Sequence, residues 1–171
     1  RPEDDWPRRC AMNQLGNGLF DAKHYEDALS VREAELSMKR RLGDSEDTIL
    51  VTQSNLASTY ASIGKVEQAL EMDRVIYCGR VKLDGKESKS TLLAALNYAS
   101  SLYDLQRFKE ARSLMRKTIP LTRRVLEKHD DLVLRMRWNY AKALYNDPGA
   151  TLDDLREAVT TFEEIGPTAR H

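Results

Sequence analysis

Apolar side chains recur along this chain at the spacing of a helix, not in the alternation of a strand. Ile49, Leu56, Tyr60 and Ile63 share one helical face over about 46–63. A second helix over about 66–83 carries Ala69, Leu70, Val75, Ile76 and Leu83. Gly64-Lys65 lies between them as a turn. Asp44-Ser45 and Thr151 suit helix N-caps, and Thr151 has Asp154 three residues on, close to a capping box. Gly43 and Gly85 suit helix C-termini.

The pattern repeats. Asn55-Leu56-Ala57 returns as Asn97-Tyr98-Ala99 and as Asn139-Tyr140-Ala141, each step 42 residues. Gly64-Lys65-Val66-Glu67-Gln68-Ala69 returns as Gln106-Arg107-Phe108-Lys109-Glu110-Ala111 at the same step. An earlier copy is offset by 41: Leu15-Gly16 stands for Leu56-Ala57, Leu19 for Tyr60, and Tyr25-Glu26-Asp27-Ala28 for Val66-Glu67-Gln68-Ala69. Leu155-Arg156-Glu157-Ala158 lies 47 beyond Phe108-Lys109-Glu110-Ala111, so the last copy carries five extra residues around Asn146-Asp147-Pro148-Gly149-Ala150. Four two-helix units are expected, at about 5–43, 44–85, 86–128 and 129–166, as a single array over 1–171.

A unit of Leu-Ala or Leu-Gly, an aromatic three or four residues on, then Gly-Lys-aromatic-x-Glu/Gln-Ala resembles the tetratricopeptide repeat. The 42-residue step exceeds the usual period of roughly 34 in that family. It is similar to the long-helix kind found in kinesin light chains and in arrays attached to signalling ATPases. HEAT-type repeats share the period range but leave the Gly-Lys-Val-Glu-Gln-Ala block unexplained. The resemblance implies an all-α, right-handed superhelix (an α-solenoid) of four helix-turn-helix units, with the first helices lining its concave side. Small Ala57, Ala99 and Ala141 are expected where two helices cross closely.

The groove-facing positions then follow at i, i+4, i+7 and i+11 of each first helix. They are Cys10, Gln14, Asn17 and Asp21; Val51, Asn55, Ser58 and Ser62; Leu93, Asn97, Ser100 and Asp104; and Arg135, Asn139, Lys142 and Asn146. Asn55, Asn97 and Asn139 hold one equivalent place, although Asn is a poor helix-interior residue. Two readings stand side by side. Carboxamides can hold the backbone of an extended peptide, as related arrays with asparagine there do; or each bonds a neighbouring unit and sets the geometry of the array. Trp138 is grouped with Arg135, Asn139 and Lys142 as the fourth unit's contribution. The cochaperone pattern, in which Lys and Asn clamp a C-terminal carboxylate, is departed from: Leu93 and Asn97 stand where basic residues are wanted.

Charge sharpens this picture. Lys+Arg and Asp+Glu are both 27, which argues against a protein that coats nucleic acid. The balance is uneven, however: residues 106–142 carry eleven Lys/Arg against four Asp/Glu. An acidic peptide or carboxylate is the matching partner, with Arg135 and Lys142 best placed to meet it. Arg112, Arg116, Arg123 and Arg124 fall on a second helix and read first as an outer, solvated face.

Enzymatic chemistry finds no foothold. His24, His129 and His171 lack partners at metal or triad spacing, Cys10 and Cys78 stand far apart, and Gly16-Asn17-Gly18 lacks the strand and third glycine of a dinucleotide loop. No apolar run approaches the roughly 18 residues of a membrane span. The expectation is a cytoplasmic, non-enzymatic scaffold without cofactor, cut from a longer protein, holding a protein or peptide segment on Gln14, Asn17, Asn55, Ser58, Asn97, Ser100, Arg135, Trp138, Asn139 and Lys142. The competing expectation is an architectural spacer, or a module that self-associates through its terminal repeats.

Overall fold

The computed structural model describes residues 6–128 and 130–166; the flanking segments, His129 and His171 lie outside the described residues. Among the described residues eight helices follow one another: α1 (Trp6–Asp21), α2 (Tyr25–Leu42), α3 (Glu46–Ser62), α4 (Val66–Asp84), α5 (Lys89–Asp104), α6 (Phe108–Thr122), α7 (Asp131–Asn146) and α8 (Leu152–Ile165). No strand occurs among them.

Local chemistry sets the helix ends. The side chains of Ser45, Ser88, Asp130 and Thr151 each accept a backbone N–H of the helix they precede, satisfying a donor that has no partner within the helix. Thr151 and Asp154 complete a reciprocal capping box. The tight turns repeat as well. Lys23, Gly64 and Gln106 occupy equivalent positions and all have positive φ, at 63°, 79° and 58°. In each turn the following residue donates to the carbonyl five back: His24 to Leu19, Lys65 to Tyr60, Arg107 to Leu102. The left-handed residue itself donates three back, to Phe20, Ala61 and Tyr103. This is the Schellman closure of a helix C-terminus, and the end of α2 uses it too, Gly43 (φ 72°) donating to Arg40 and Asp44 to Lys39. The fourth unit replaces it with its five-residue insertion, which Asp147 folds by accepting the Gly149 N–H at 2.9 Å.

The chain divides into two compact units, with the boundary inside α4 after Ile76. In the second unit α6 packs on α5 and α7, α8 on α7, and α7 also meets α5. Their shared core is apolar: Leu92, Leu96, Met115, Met136 and Leu144 are buried together around Ala99. Ala57, Ala99 and Ala141 are all buried.

The first unit is built differently. Leu29, Leu36 and Leu56 form a small apolar cluster with Ile49, Tyr60 and Met72 around it. Between α1, α2 and α3 the contact is charged. Arg32, 4% exposed, donates to the Asn55 carbonyl at 2.7 Å, to Thr59 Oγ1 and to Asn17 Oδ1, and lies over the Phe20 ring. Burial lowers its pKa, which Glu35 and Asp21 oppose. Buried Glu35 pairs with Lys39 at 2.7 Å, and Lys39 donates to buried Thr52. Such charges are tolerated inside because each has a partner.

Two stability outcomes are expected. Ala99→Leu overpacks the apolar joint and costs about 1–3 kcal/mol, read from denaturant midpoints. Gly64→Ala loses about 1 kcal/mol, because a Cβ is disfavoured at positive φ. Gln106→Gly, at the equivalent turn, shows no such loss; equal losses at both positions would contradict this account of the turns.

Candidate partner-binding face

Asn97 lies on α5, half-buried, and its carboxamide makes no hydrogen bond among the described residues. Leu93 stands one turn earlier and is exposed. Across from them on α7, Asn139 Nδ2 donates to Ser100 Oγ at 2.7 Å, while its Oδ1, shielded from solvent, has no partner. Further along the same face Lys142 places its ammonium 4.2 Å from the centre of the Tyr103 ring, close enough for cation–π attraction. Asn146 donates to the Tyr103 hydroxyl at 2.9 Å. Partial desolvation raises the pKa of Asp104, and nearby Lys142 opposes it. Arg135 is exposed and reaches only Asp131 on its own helix, at 3.6 Å. In this unit Asn97, Ser100, Asn139 and Lys142 therefore share one face with Leu93 and Arg135.

Trp138 turns elsewhere. Its ring meets Phe162 of α8 edge to face at 4.8 Å, so it belongs to the α7–α8 side and not to the side that reaches α5. One residue of difference on a helix rotates a side chain by about 100°, so adjacency to Asn139 in sequence does not put Trp138 on the same face.

In the first unit Gln14 lines a cleft of about 290 Å³ with Cys10 and Asn13 of α1, Lys39 of α2 and Thr48 of α3. Asn17 is engaged: it donates to Asn13 and accepts from Arg32. Asn55 is half-buried and, like Asn97, makes no side-chain hydrogen bond among the described residues. Ser58 is exposed and returns its hydroxyl to the Ser54 carbonyl. Val51, one turn before Asn55, is exposed, the counterpart of Leu93.

Three of the basic residues on α6 and just after it are committed to structure. Arg112 reaches Asp154 at 3.2 Å, Arg116 binds the Tyr140 hydroxyl at 2.9 Å and nears Glu157, and Arg124 pairs with Glu87. Arg32 and Tyr103 do not stand out in the sequence. Arg32 hides because a charged residue on a second helix reads as solvated. Tyr103 shares the spacing of the packed tyrosines, yet its hydroxyl and ring edge the α5–α7 face.

Residues 91–131 match the tetratricopeptide repeat family. The solved structures that resemble the chain include a Podosopora anserina putative kinesin light chain with nearly identical TPR-like repeats, at TM-score 0.80 and 20% identity over 99% of this chain and 77% of that one. A variant form of that protein gives TM-score 0.81 at 20% identity over 95% and 76%. This chain folds as a tetratricopeptide-repeat array of the kinesin-light-chain-like kind. BtubC (BKLC) of P. vanneervenii is similar too, at TM-score 0.79 and 15% identity over 94% of this chain and 63% of that one. No curated protein matches the chain in sequence. The eight helices of the described residues make the array an all-α solenoid of four two-helix units. Among the described residues no cluster of His, Cys, Asp and Glu could hold a metal ion, and no helix is long and apolar enough to cross a membrane.

The asparagines of this array are not equivalent, and melting curves distinguish them. Asn139→Ala removes the bond to Ser100 and lowers stability by about 0.5–1.5 kcal/mol. Asn97→Ala removes no bond and leaves stability unchanged; a matching loss at Asn97 would show it to be a scaffold residue.

Proposed function

We propose that this array is a protein-interaction scaffold that holds an extended, acidic segment of a partner protein on the exposed faces of its first helices. The observation that carries the reading is the pair Asn55 and Asn97. They occupy one register position on α3 and α5, half-buried and without hydrogen-bond partners of their own among the described residues. A carboxamide offers two donors and an acceptor, the complement of a peptide backbone. Exposed Val51 and Leu93, each one turn away on the same helix, offer apolar contact beside their own asparagine. Arg135 and Lys142 of α7 supply the charge preference beside Asn97 in the second unit.

Asn139 supports the architectural reading at its own position, because its amide is spent on Ser100. The division of labour is therefore two asparagines for the ligand and one for the joint.

Extended peptides graded from acidic to basic, titrated at low and high salt, test the proposal. Acidic peptides bind tighter, and their affinity falls as salt screens the exposed charges over roughly 8–10 Å. Asn55→Ala and Asn97→Ala each weaken binding by about tenfold or less, the value of one net hydrogen bond, without shifting the melting temperature. Affinity that ignores salt removes the charge argument. Affinity that survives both asparagine changes removes the site.

A further inference from the structure

Arg32 is a buried cation at a place where no other copy is basic. The 41- and 42-residue steps map it onto Asp73 and Met115, and the 47-residue step onto Phe162. Met115 is fully buried in the apolar joint of the second unit, so a flexible apolar side chain suffices at this position to close a joint. The first copy also makes room for its arginine. Gly16 stands where the later copies carry Ala57, Ala99 and Ala141, and a Cβ added there would lie 3.2 Å from Arg32 Cγ. A buried ionic side chain gives little net stability over an apolar one of similar volume. Arginine here calls for a use other than packing.

That use lies in what the guanidinium holds. Its planar fork of N–H donors meets only neutral oxygens. Nη1 donates to the Asn55 carbonyl at 2.7 Å and to Thr59 Oγ1, both on α3; Nη2 donates to Asn17 Oδ1 on α1 at 3.0 Å. Asn17 and Asn55 are groove-facing positions, one on each first helix of this unit. The bond to Oδ1 settles which way the Asn17 carboxamide faces. Its oxygen turns to Arg32, and its nitrogen gives one N–H to Asn13 and keeps the other for a ligand. The bond to the Asn55 carbonyl fixes the stretch of α3 backbone that carries the free Asn55 carboxamide.

Resting on the reading that this face holds an extended peptide, we propose that Arg32 is a positioning residue for binding: it holds the Asn17 amide and the α3 backbone at Asn55 in the arrangement that meets the peptide. Arg32, 4% exposed, does not touch the peptide itself. It preorganises the groups that do, and a carboxamide already held loses less freedom on binding. Methionine, the residue of the third copy, keeps the joint but has no donor for α1 or α3. That change orphans no buried group. Thr59 Oγ1 also donates to the Asn55 carbonyl at 3.0 Å, Asn17 is exposed, and Glu35 keeps Lys39.

Arg32→Met and Arg32→Lys in the full chain test this, with the tightest-binding acidic peptide of the graded series as probe. Arg32→Met melts at or above the wild-type temperature, yet its affinity falls by about three- to tenfold, up to the worth of one net hydrogen bond. Arg32→Lys also loses affinity, because a single ammonium does not bridge α1 and α3 as the fork does. Added to Asn17→Ala and Asn55→Ala together, Arg32→Met lowers affinity no further, the mark of a residue acting through those two. In proton–nitrogen NMR spectra without peptide, Arg32→Met moves the Asn17 side-chain amide to the position of a free carboxamide and leaves that of Asn97 in place. Wild-type affinity in Arg32→Met, a melting temperature that falls in step with affinity, an unmoved Asn17 amide, or an equal further loss in the asparagine double variant overturns the proposal. Wild-type affinity in the asparagine double variant itself overturns the peptide reading of this face, and the proposal with it. Loss there beside wild-type affinity in Arg32→Met overturns the proposal alone.

Discussion

A two-helix unit cannot cover its own apolar side. Each hairpin has to lend one face of its first helix to a neighbour, and the two backbones have to come within roughly 8–10 Å for side chains to interlock. Small, buried Ala57, Ala99 and Ala141 leave room for such an approach. Apolar side chains then close around the contact: Leu92, Leu96 and Met115 on one side of the second unit, Met136 and Leu144 on the other. The turns serve the same end. The left-handed residue at Lys23, Gly64 and Gln106 returns the chain at one fixed geometry, so in the first three hairpins the second helix starts in the same register with the first.

The same geometrical demand is met by two kinds of chemistry. In the second unit the joint is apolar and stabilised by removing methyl and methylene groups from water. In the first unit Arg32, Glu35, Lys39, Thr52 and Thr59 fill the joint and are held by mutual hydrogen bonds. A buried ion network adds little net stability over an apolar core, because desolvation offsets its attraction. It is demanding in geometry, though, since every donor has one place to go. Arg32 illustrates this: its guanidinium ties α2 to Asn17 on α1 and to the Asn55 carbonyl on α3.

Burial of one stripe on each first helix leaves another stripe with no structural duty. On α5 that stripe presents Leu93 and Asn97; on α3 it presents Val51 and Asn55. Residues there can change without loosening a joint, so a binding preference can be written on them independently of the fold. Where the stripe is drawn into structure, as Asn139 is by Ser100 and Asn17 by Arg32, that freedom is lost.

The architecture was legible in the sequence because a repeat states its period several times over. The 42-residue step, the turn glycine at Gly64, the cap at Ser45, the Thr151–Asp154 capping box and the insertion near Pro148 are all local or periodic signals, and each corresponds to a feature of the structure. The helical face of Asn55, Asn97 and Asn139 was legible for the same reason. Which of them is free was not: the bond from Asn139 to Ser100 spans 39 residues and depends on how closely α5 and α7 approach. Trp138 is drawn by sequence proximity toward Asn139 and by tertiary packing toward Phe162. Arg32 reads in the sequence as one more charge on an amphipathic helix. Only the approach of α1 and α3 from either side removes it from water and makes it the centre of a joint. Periodicity determines which face a residue occupies; the identity of what meets that face is a property of distant segments, and only the folded chain decides it.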